Sequence, residues 1–178
     1  MSRVRPRASQ NSETAKALLK LLVFTLLVPC TVTVWLPFYY LYPGVRSHFP
    51  GVGLSAVAGI IFIALGAMGY LWCALDFVFV GKGTPTPIDH PKVLVVCGLY
   101  RFVRNPMYVS VSVVLLGESL AFRSVALLRY ALVMLVIFHL VVILMEEPML
   151  RNKFGSSYEE YCRDVPRWIP RLGRSPGK

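Results

Sequence analysis

Apolar residues in this chain are bunched into four long runs instead of recurring at a helical or strand period. The runs at residues 17–42 and 54–80 are each long enough to cross a bilayer as a helix. The run at 107–122 barely reaches across at about 1.5 Å per residue, and the run at 124–145 is a clear span. The pattern predicts an all-α integral membrane protein with about four transmembrane helices, of which the last two form a hairpin.

Residues inside and around the runs predict further features. Pro29 and Pro37 are expected to kink the first span, because each lacks a backbone N–H. The first run lacks a clear cleavage site, so we interpret it as a retained span and not as a signal peptide. The polar ends at 1–15 and 173–178 predict disordered tails around a single membrane domain at 16–172.

The distribution of charge predicts an orientation and argues against nucleic-acid binding. The 178 residues include 19 Lys and Arg against 9 Asp and Glu, a formal net charge of +10. Of these basic residues, 16 lie towards the N-terminus, in the 81–106 loop or in the C-terminal segment. The positive-inside rule therefore predicts a multi-pass protein with both termini and the polar segments in the cytosol. Basic residues that flank apolar runs suit anionic lipid headgroups better than nucleic acid.

The sequence contains no convincing metal or nucleotide-binding motif. Its four cysteines lack metal-ligand spacing and its three histidines lie far apart, so no metal site is expected. A partial glycine pattern begins at Gly51, but no strand precedes it, and the dinucleotide interpretation is weak. His139 lies within an apolar run, where helix packing is a better interpretation than metal ligation.

A polar segment at residues 98–108 interrupts the apolar pattern. Arg101 and Arg104 share one face if the segment is helical, and two guanidinium groups suit a carboxylate or phosphate. Tyr100 and Tyr108 offer aromatic faces and hydroxyl groups, while Asn105 offers a donor and an acceptor. The segment is either a basic loop that contacts lipid headgroups or a site for a charged cofactor.

An acidic pair, Glu146 and Glu147, follows the fourth run. Topology does not explain adjacent carboxylates at this position. They either accept hydrogen bonds from a ligand and stabilise a nearby cation, or form salt bridges to Arg101, Arg104 or Arg151.

Two motifs together resemble one known family. The residues Gly98, Tyr100, Arg104-Asn105-Pro106 and Tyr108 are similar to the signature of the isoprenylcysteine carboxyl methyltransferase family, which related membrane phospholipid methyltransferases share. The downstream residues from Glu146-Glu147 through Tyr158 and Tyr161 to Arg167 and Pro170 are similar to the family's C-terminal signature. The resemblance covers about residues 52–172 and fits a bacterial-type member.

The resemblance implies methyl transfer from S-adenosyl-L-methionine to a lipid or lipidated, isoprenylcysteine-like acceptor. It implies a cytosolic cofactor pocket that is built by the 81–106 loop and the C-terminal segment, without a Rossmann fold. Carried over by position, the catalytic residues are Arg104 and Glu147. The residues expected to bind the cofactor are Leu94, Val95, Gly98, Tyr100, Arg101, Asn105, Pro106, Tyr108, Glu146, Tyr158, Tyr161 and Arg167.

Departures from the family pattern leave the acceptor open. Ser110 stands where many members have glycine, and Asn105 replaces the histidine of the prenylcysteine enzymes. An amine or hydroxyl acceptor would need a general base, for which Glu147 and Asp76 are candidates, whereas a carboxylate would need none. The lipid is expected to enter sideways near Glu118. The alternatives are an NADPH-dependent lipid or sterol reductase and a non-catalytic lipid-binding protein.

Overall fold

The computed structural model describes residues 7–41, 53–80 and 93–170, and every regular element in these ranges is helical. The α-helices are α1 (Arg7–Leu27), α2 (Leu54–Phe79), α3 (Pro106–Ala121), α4 (Val125–Val141), α5 (Glu147–Phe154) and α6 (Ser156–Asp164). Three π-helical segments, Thr31–Trp35, Pro37–Leu41 and Val142–Glu146, and one 3₁₀ turn, Gly98–Arg101, complete the set. The all-helical prediction is confirmed for the described residues.

Three helical stretches are long and apolar enough to cross a membrane: Ala17–Tyr39, Leu54–Phe79 and Val125–Phe154. Their outward faces carry side chains such as Leu19, Ile60 and Val136, which are more than half exposed, as contact with lipid requires. Helix α3 has 16 residues and is therefore about 24 Å long, which is shorter than the hydrocarbon core of a typical bilayer. Three of the four predicted spans are thus confirmed by length and composition, and the fourth stays a prediction.

Other predictions fall partly or wholly outside the described residues. These are the N-terminal tail up to residue 6, residues 81–92 of the 81–106 loop, and the tail at 173–178. Helix α1 begins at Arg7, earlier than the predicted start of the first span. The division into one membrane domain with two tails stays a prediction.

The prolines of the first span coincide with a change of helical register. The N–H of Leu36 bonds to the carbonyl of Thr31, which is the i→i+5 spacing of a π-helix. In that register the Val32 carbonyl would pair with residue 37, and Pro37 has no N–H to donate. The Tyr130 hydroxyl of α4 donates to the Val32 oxygen instead, at 2.8 Å. The expected distortion is therefore also a point of attachment between the first span and α4.

Helices α2 and α3 pack closely along their lengths because small residues face each other. A Cβ atom added to Gly117 would lie 2.8 Å from the Gly59 carbonyl oxygen and 2.8 Å from the Ile63 nitrogen. The backbones can approach this closely only without side chains at the crossing. The main apolar core forms around this pair and consists of Leu21, Tyr70, Ala74, Val78, Val111, Leu115, Ala131, Met134 and Phe138.

Candidate active site

The polar segment begins with a glycine that the packing requires. Gly98 has φ +54°, and a Cβ atom there would lie 3.0 Å from the Trp72 indole nitrogen and against the Asp76 carboxylate. A larger residue would be strained in this conformation and would collide with α2. Gly98 thus brings the 3₁₀ turn against α2, where Tyr100 packs edge-on against Phe77.

The residues after this turn connect it to the C-terminal segment at 165–170, which we call the strap. The backbone N–H of Arg104 donates to the Pro166 carbonyl at 2.8 Å. The Asn105 side chain donates to the Arg167 carbonyl at 3.2 Å. Because Pro106 opens α3 and has no N–H that needs an acceptor, the Asn105 side chain is available to bond the strap and does not cap its own helix.

A buried carboxylate lies at the centre of the site. Glu147 is 4% exposed. It accepts two hydrogen bonds from Arg167, at 2.7 Å from Nε and 3.0 Å from Nη2. Arg104 Nη1 lies 3.3 Å from the same Glu147 Oε1. The hydrogen bond to Glu147 raises the pKa of Arg167, so the pair stays ionised in neutral solution.

The Arg104 guanidinium has a second partner. Its Nη1 donates to the Cys162 sulfur at 2.6 Å, while its buried Nε atom has no hydrogen-bond partner among the described residues. Sequence reasoning missed Cys162. The available signal was its spacing, since it follows Tyr158 by four residues and lies near the same face of α6.

Two buried tyrosines of α6, Tyr158 and Tyr161, pack beneath the Glu147 cluster. The Tyr161 hydroxyl donates to the Tyr100 carbonyl at 2.7 Å. Burial raises the pKa of both Tyr158 and Tyr161, so both hydroxyls remain protonated and can donate. Leu94 packs against this pair together with Val165.

The second acidic residue faces a different partner. The Tyr108 hydroxyl donates to Glu146 Oε1, and the Tyr108 ring lies 5.0 Å from the Phe138 ring. Consecutive residues of a helix point about 100° apart. Glu146 therefore contacts Tyr108 while Glu147 contacts Arg167, at the point where the π-helical segment ends.

The structure brings most of the predicted residues together, and two of them lie at its edge. Arg101 is exposed, and Val95 packs on the α2 side with Cys73 and Tyr100. The residues linked by contacts across the two signatures are Arg104, Asn105, Tyr100, Tyr108, Glu146, Glu147, Tyr158, Tyr161 and Arg167. Of the acidic pair, Glu147 forms the salt bridges that one interpretation predicted. Arg104 was among the predicted partners, whereas Arg167 was not.

Two further contacts complete the surroundings. The Trp168 indole N–H donates to His139 Nδ1 at 3.1 Å, which ties the strap to α4 and agrees with a packing role for this histidine. A cavity of about 340 Å³ lies beside the cluster and is lined by Arg151, Glu159, Cys162 and Arg163. No group of three metal-ligating side chains occurs in the part of the chain that the structure describes.

Comparison with known proteins identifies the family. Residues 54–157 match the family model described as phospholipid methyltransferase. The chain belongs to this family. The matched range contains the whole polar segment and the acidic pair, so the resemblance drawn from the two signatures is confirmed.

Two curated proteins are similar to this member of the phospholipid methyltransferase family. One is the cobalt-zinc-cadmium resistance protein CzcN of Cupriavidus metallidurans, 33% identical over 141 residues, which are 75% of this chain and 58% of the relative. The other is the protein-S-isoprenylcysteine O-methyltransferase of Schizosaccharomyces pombe, 39% identical over 83 residues, which are 46% of this chain and 34% of the relative. The chain thus aligns with little more than half of the first relative and a third of the second.

Proposed function

We propose that this chain is an S-adenosyl-L-methionine-dependent membrane methyltransferase that acts on a lipid or lipidated acceptor at the cytosolic face. The observation that carries the proposal is the joining of the two signature segments around Glu147. Arg104 comes from the first segment and Arg167 from the strap, and both guanidinium groups lie on this one carboxylate. Membership of the family and similarity to an isoprenylcysteine methyltransferase support the reaction type.

The chemistry of the donor set fits this cofactor. Arg104 Nε is a buried donor without a protein partner among the described residues, and a carboxylate group would satisfy it. Arg151 and Arg163 add positive charge at the neighbouring cavity of about 340 Å³. The ring faces of Tyr158 and Tyr161 suit a cationic sulfonium. S-adenosyl-L-methionine, when bound, supplies an activated methyl group.

The protein's own part is to position the reactants and exclude water. The strap contacts Glu147 through Arg167, and the buried Tyr161 directs its protonated hydroxyl at the Tyr100 carbonyl oxygen. Glu147 is already engaged by two arginines, so as it stands it orients the site and does not act as a base. A carboxylate acceptor would need no general base, whereas an amine or hydroxyl acceptor would depend on the other candidate base, Asp76.

The decisive experiment compares cofactors on the purified protein in detergent. Calorimetric titration is expected to show binding of S-adenosyl-L-methionine and none of NADPH, because the donor set suits a carboxylate and a sulfonium. Labelled cofactor and a cell lipid extract then identify the methylated acceptor. Binding of NADPH in place of S-adenosyl-L-methionine supports the reductase, and binding of neither supports a lipid-binding protein.

Substitutions test the assignment of residues. Arg104→Ala and Glu147→Ala are expected to abolish methylation while both variants still insert into the membrane. Lys153→Ala, which removes an exposed cation from α5, is the matched control and is expected to retain activity. Wild-type activity in both site variants would contradict the assignment.

A further inference from the structure

A second cavity lies at the opposite end of α3 from the candidate active site. It has a volume of about 160 Å³ and is bounded by the first span, the end of α3 and the start of α4. Its lining residues are Thr33, Val34, Pro37, Phe38, Glu118, Phe122 and Leu127. Twelve residues separate Glu118 from the start of α3 at Pro106, so the cavity is about 18 Å along the helix from the polar segment. It is therefore distinct from the Glu147 cluster.

The cavity contains a carboxyl group that lacks a hydrogen-bond donor among the described residues. Glu118 Oε2 is buried and has no hydrogen-bond partner among the described residues. The hydroxyl groups nearby already donate elsewhere: Thr33 to the Pro29 carbonyl at 2.9 Å and Tyr130 to the Val32 carbonyl. The exposed Arg123 directs its Nε to the Ser55 hydroxyl at 2.6 Å. An unpartnered buried carboxyl oxygen is costly and calls for a donor from outside.

The walls of the cavity are held in place, so the site does not simply collapse onto Glu118. Gly117 is locked against Gly59 of α2, which fixes the helix that carries Glu118. On the other side, the π-helical turns of the first span are tied to α4 through Tyr130. Single π-helical turns inside helices occur frequently at functional sites.

We propose that this cavity binds the protonated amine head of a single-chain amphiphile, with the ammonium group on Glu118. A carboxylate complements a cation, and the remaining lining is almost entirely apolar, as an alkyl chain requires. A metal ion is a poor alternative because one carboxylate and one hydroxyl do not provide its oxygen ligands. This proposal does not depend on the proposed methyl transfer.

The size and opening of the cavity define the ligand further. Its volume of about 160 Å³ accommodates an amine head and its first few carbon atoms. The rest of the chain would leave past Val34 and Phe38, which are 54% and 55% exposed towards the lipid. The ligand class is therefore a long-chain primary ammonium compound that reaches the cavity from the bilayer.

The test measures binding of labelled dodecylamine to the full-length protein in an uncharged maltoside detergent. Wild-type protein is expected to bind it saturably and to bind dodecanol at least tenfold more weakly. Butylamine, the soluble counterpart, is expected to bind weakly, which distinguishes a membrane-borne amine from a free one. Dodecanol that binds as tightly as dodecylamine, or butylamine that does, would overturn the proposal.

Variants locate the site. Glu118→Gln is expected to weaken dodecylamine binding at least tenfold, whereas the exposed Glu160→Gln on α6 is expected to leave it unchanged. Val34→Trp fills the cavity from the other wall and keeps the carboxyl, so it is expected to abolish binding even if Glu118→Gln fails to fold. Affinity within twofold of wild type in either variant would overturn the proposal. Because no assay here involves methyl transfer, its outcome is separable from that of the proposed function.

Discussion

At the scale of single residues, the candidate site is held together by positive charge around the Glu147 carboxylate. Two guanidinium groups lie on Glu147, and a third arginine, Arg151, is near enough to lower its energy as an anion. The sequence predicted that Glu146, Glu147 and Arg104 belong together. It did not distinguish the roles of the two acids, because these follow from the direction of each side chain after a π-helical turn. Cys162 was missed for a related reason, since its importance comes only from contact with Arg104.

Neutralising the central carboxylate is expected to destabilise the fold. Glu147→Gln leaves Arg104 and Arg167 close together without the charge that they share, and breaking a buried ion pair costs about 3–5 kcal/mol. Equilibrium unfolding in mixed micelles measures the loss. The same change at the exposed Glu160 is the control. Equal stability of the two variants would mean that the cluster contributes nothing to the fold.

Removing one hydroxyl isolates a single buried hydrogen bond. Tyr161→Phe leaves the Tyr100 carbonyl oxygen without its donor and is expected to cost about 1–3 kcal/mol. The exposed Tyr39→Phe is the matched control and is expected to be neutral. The midpoint of thermal unfolding in detergent checks both, and an unchanged midpoint for Tyr161→Phe would contradict the assigned bond.

At the scale of elements, long apolar runs predicted the helices well because burial in lipid requires every backbone group to be bonded within its own segment. Glycines of the second run, such as Gly59, allow the close packing between α2 and α3. The resemblance implied that the C-terminal segment helps to build the pocket, but it did not indicate the bonds that hold the strap. Its place over the site depends on bonds from Arg104 and Asn105, which lie about 60 residues earlier, and such long-range pairings have no local pattern.

The helix crossing is expected to tolerate no added methyl group at its tightest point. Gly117→Ala would place a carbon 2.8 Å from backbone atoms of α2, and overpacking of this kind costs about 1–3 kcal/mol. Gly69→Ala comes closer than 3 Å only to the Ser110 hydroxyl oxygen, a side-chain atom, and is expected to cost less. Unfolding in mixed micelles ranks the two, and a larger loss at Gly69 would refute this account of the crossing.

Proteolysis can measure how firmly the strap is attached to α4. Trp168→Phe keeps an aromatic ring but loses the N–H that bonds His139, which is worth about 0.5–1.5 kcal/mol. Tryptic cleavage after Arg167 is therefore expected to become a few times faster. Ile169→Ala changes an exposed neighbour and is expected to leave the rate unchanged. Equal rates in both variants would show that the indole does not hold the strap.

At the scale of the whole molecule, the sequence predicted a multi-pass helical membrane protein and the two segments of the candidate site. It could not decide whether α3 spans the bilayer, because a helix of 16 residues is marginal for a span and its role depends on the neighbouring helices. The acceptor is undetermined for a similar reason. Selectivity depends on the shape of apolar surfaces between spans, which hydrophobic pattern alone does not encode.

The number of spans determines where the termini lie. Four spans place both termini on the same side, whereas three place them on opposite sides. The positive-inside rule predicts that both are cytosolic. Fluorescent and phosphatase reporters fused in turn to each end are expected to give a fluorescent protein and an inactive phosphatase at both. An active phosphatase at one end alone would establish an odd number of crossings.

The bond between Arg104 and Pro166 has a consequence for the order of biosynthesis. A ribosome completes every apolar helix before it adds residues 165–168, so the membrane part can insert while Glu147 still lacks Arg167. The site can therefore close only late in the synthesis of each chain. A chain that ends just before this point is therefore expected to insert normally, with Glu147 left without its bonds to Arg167.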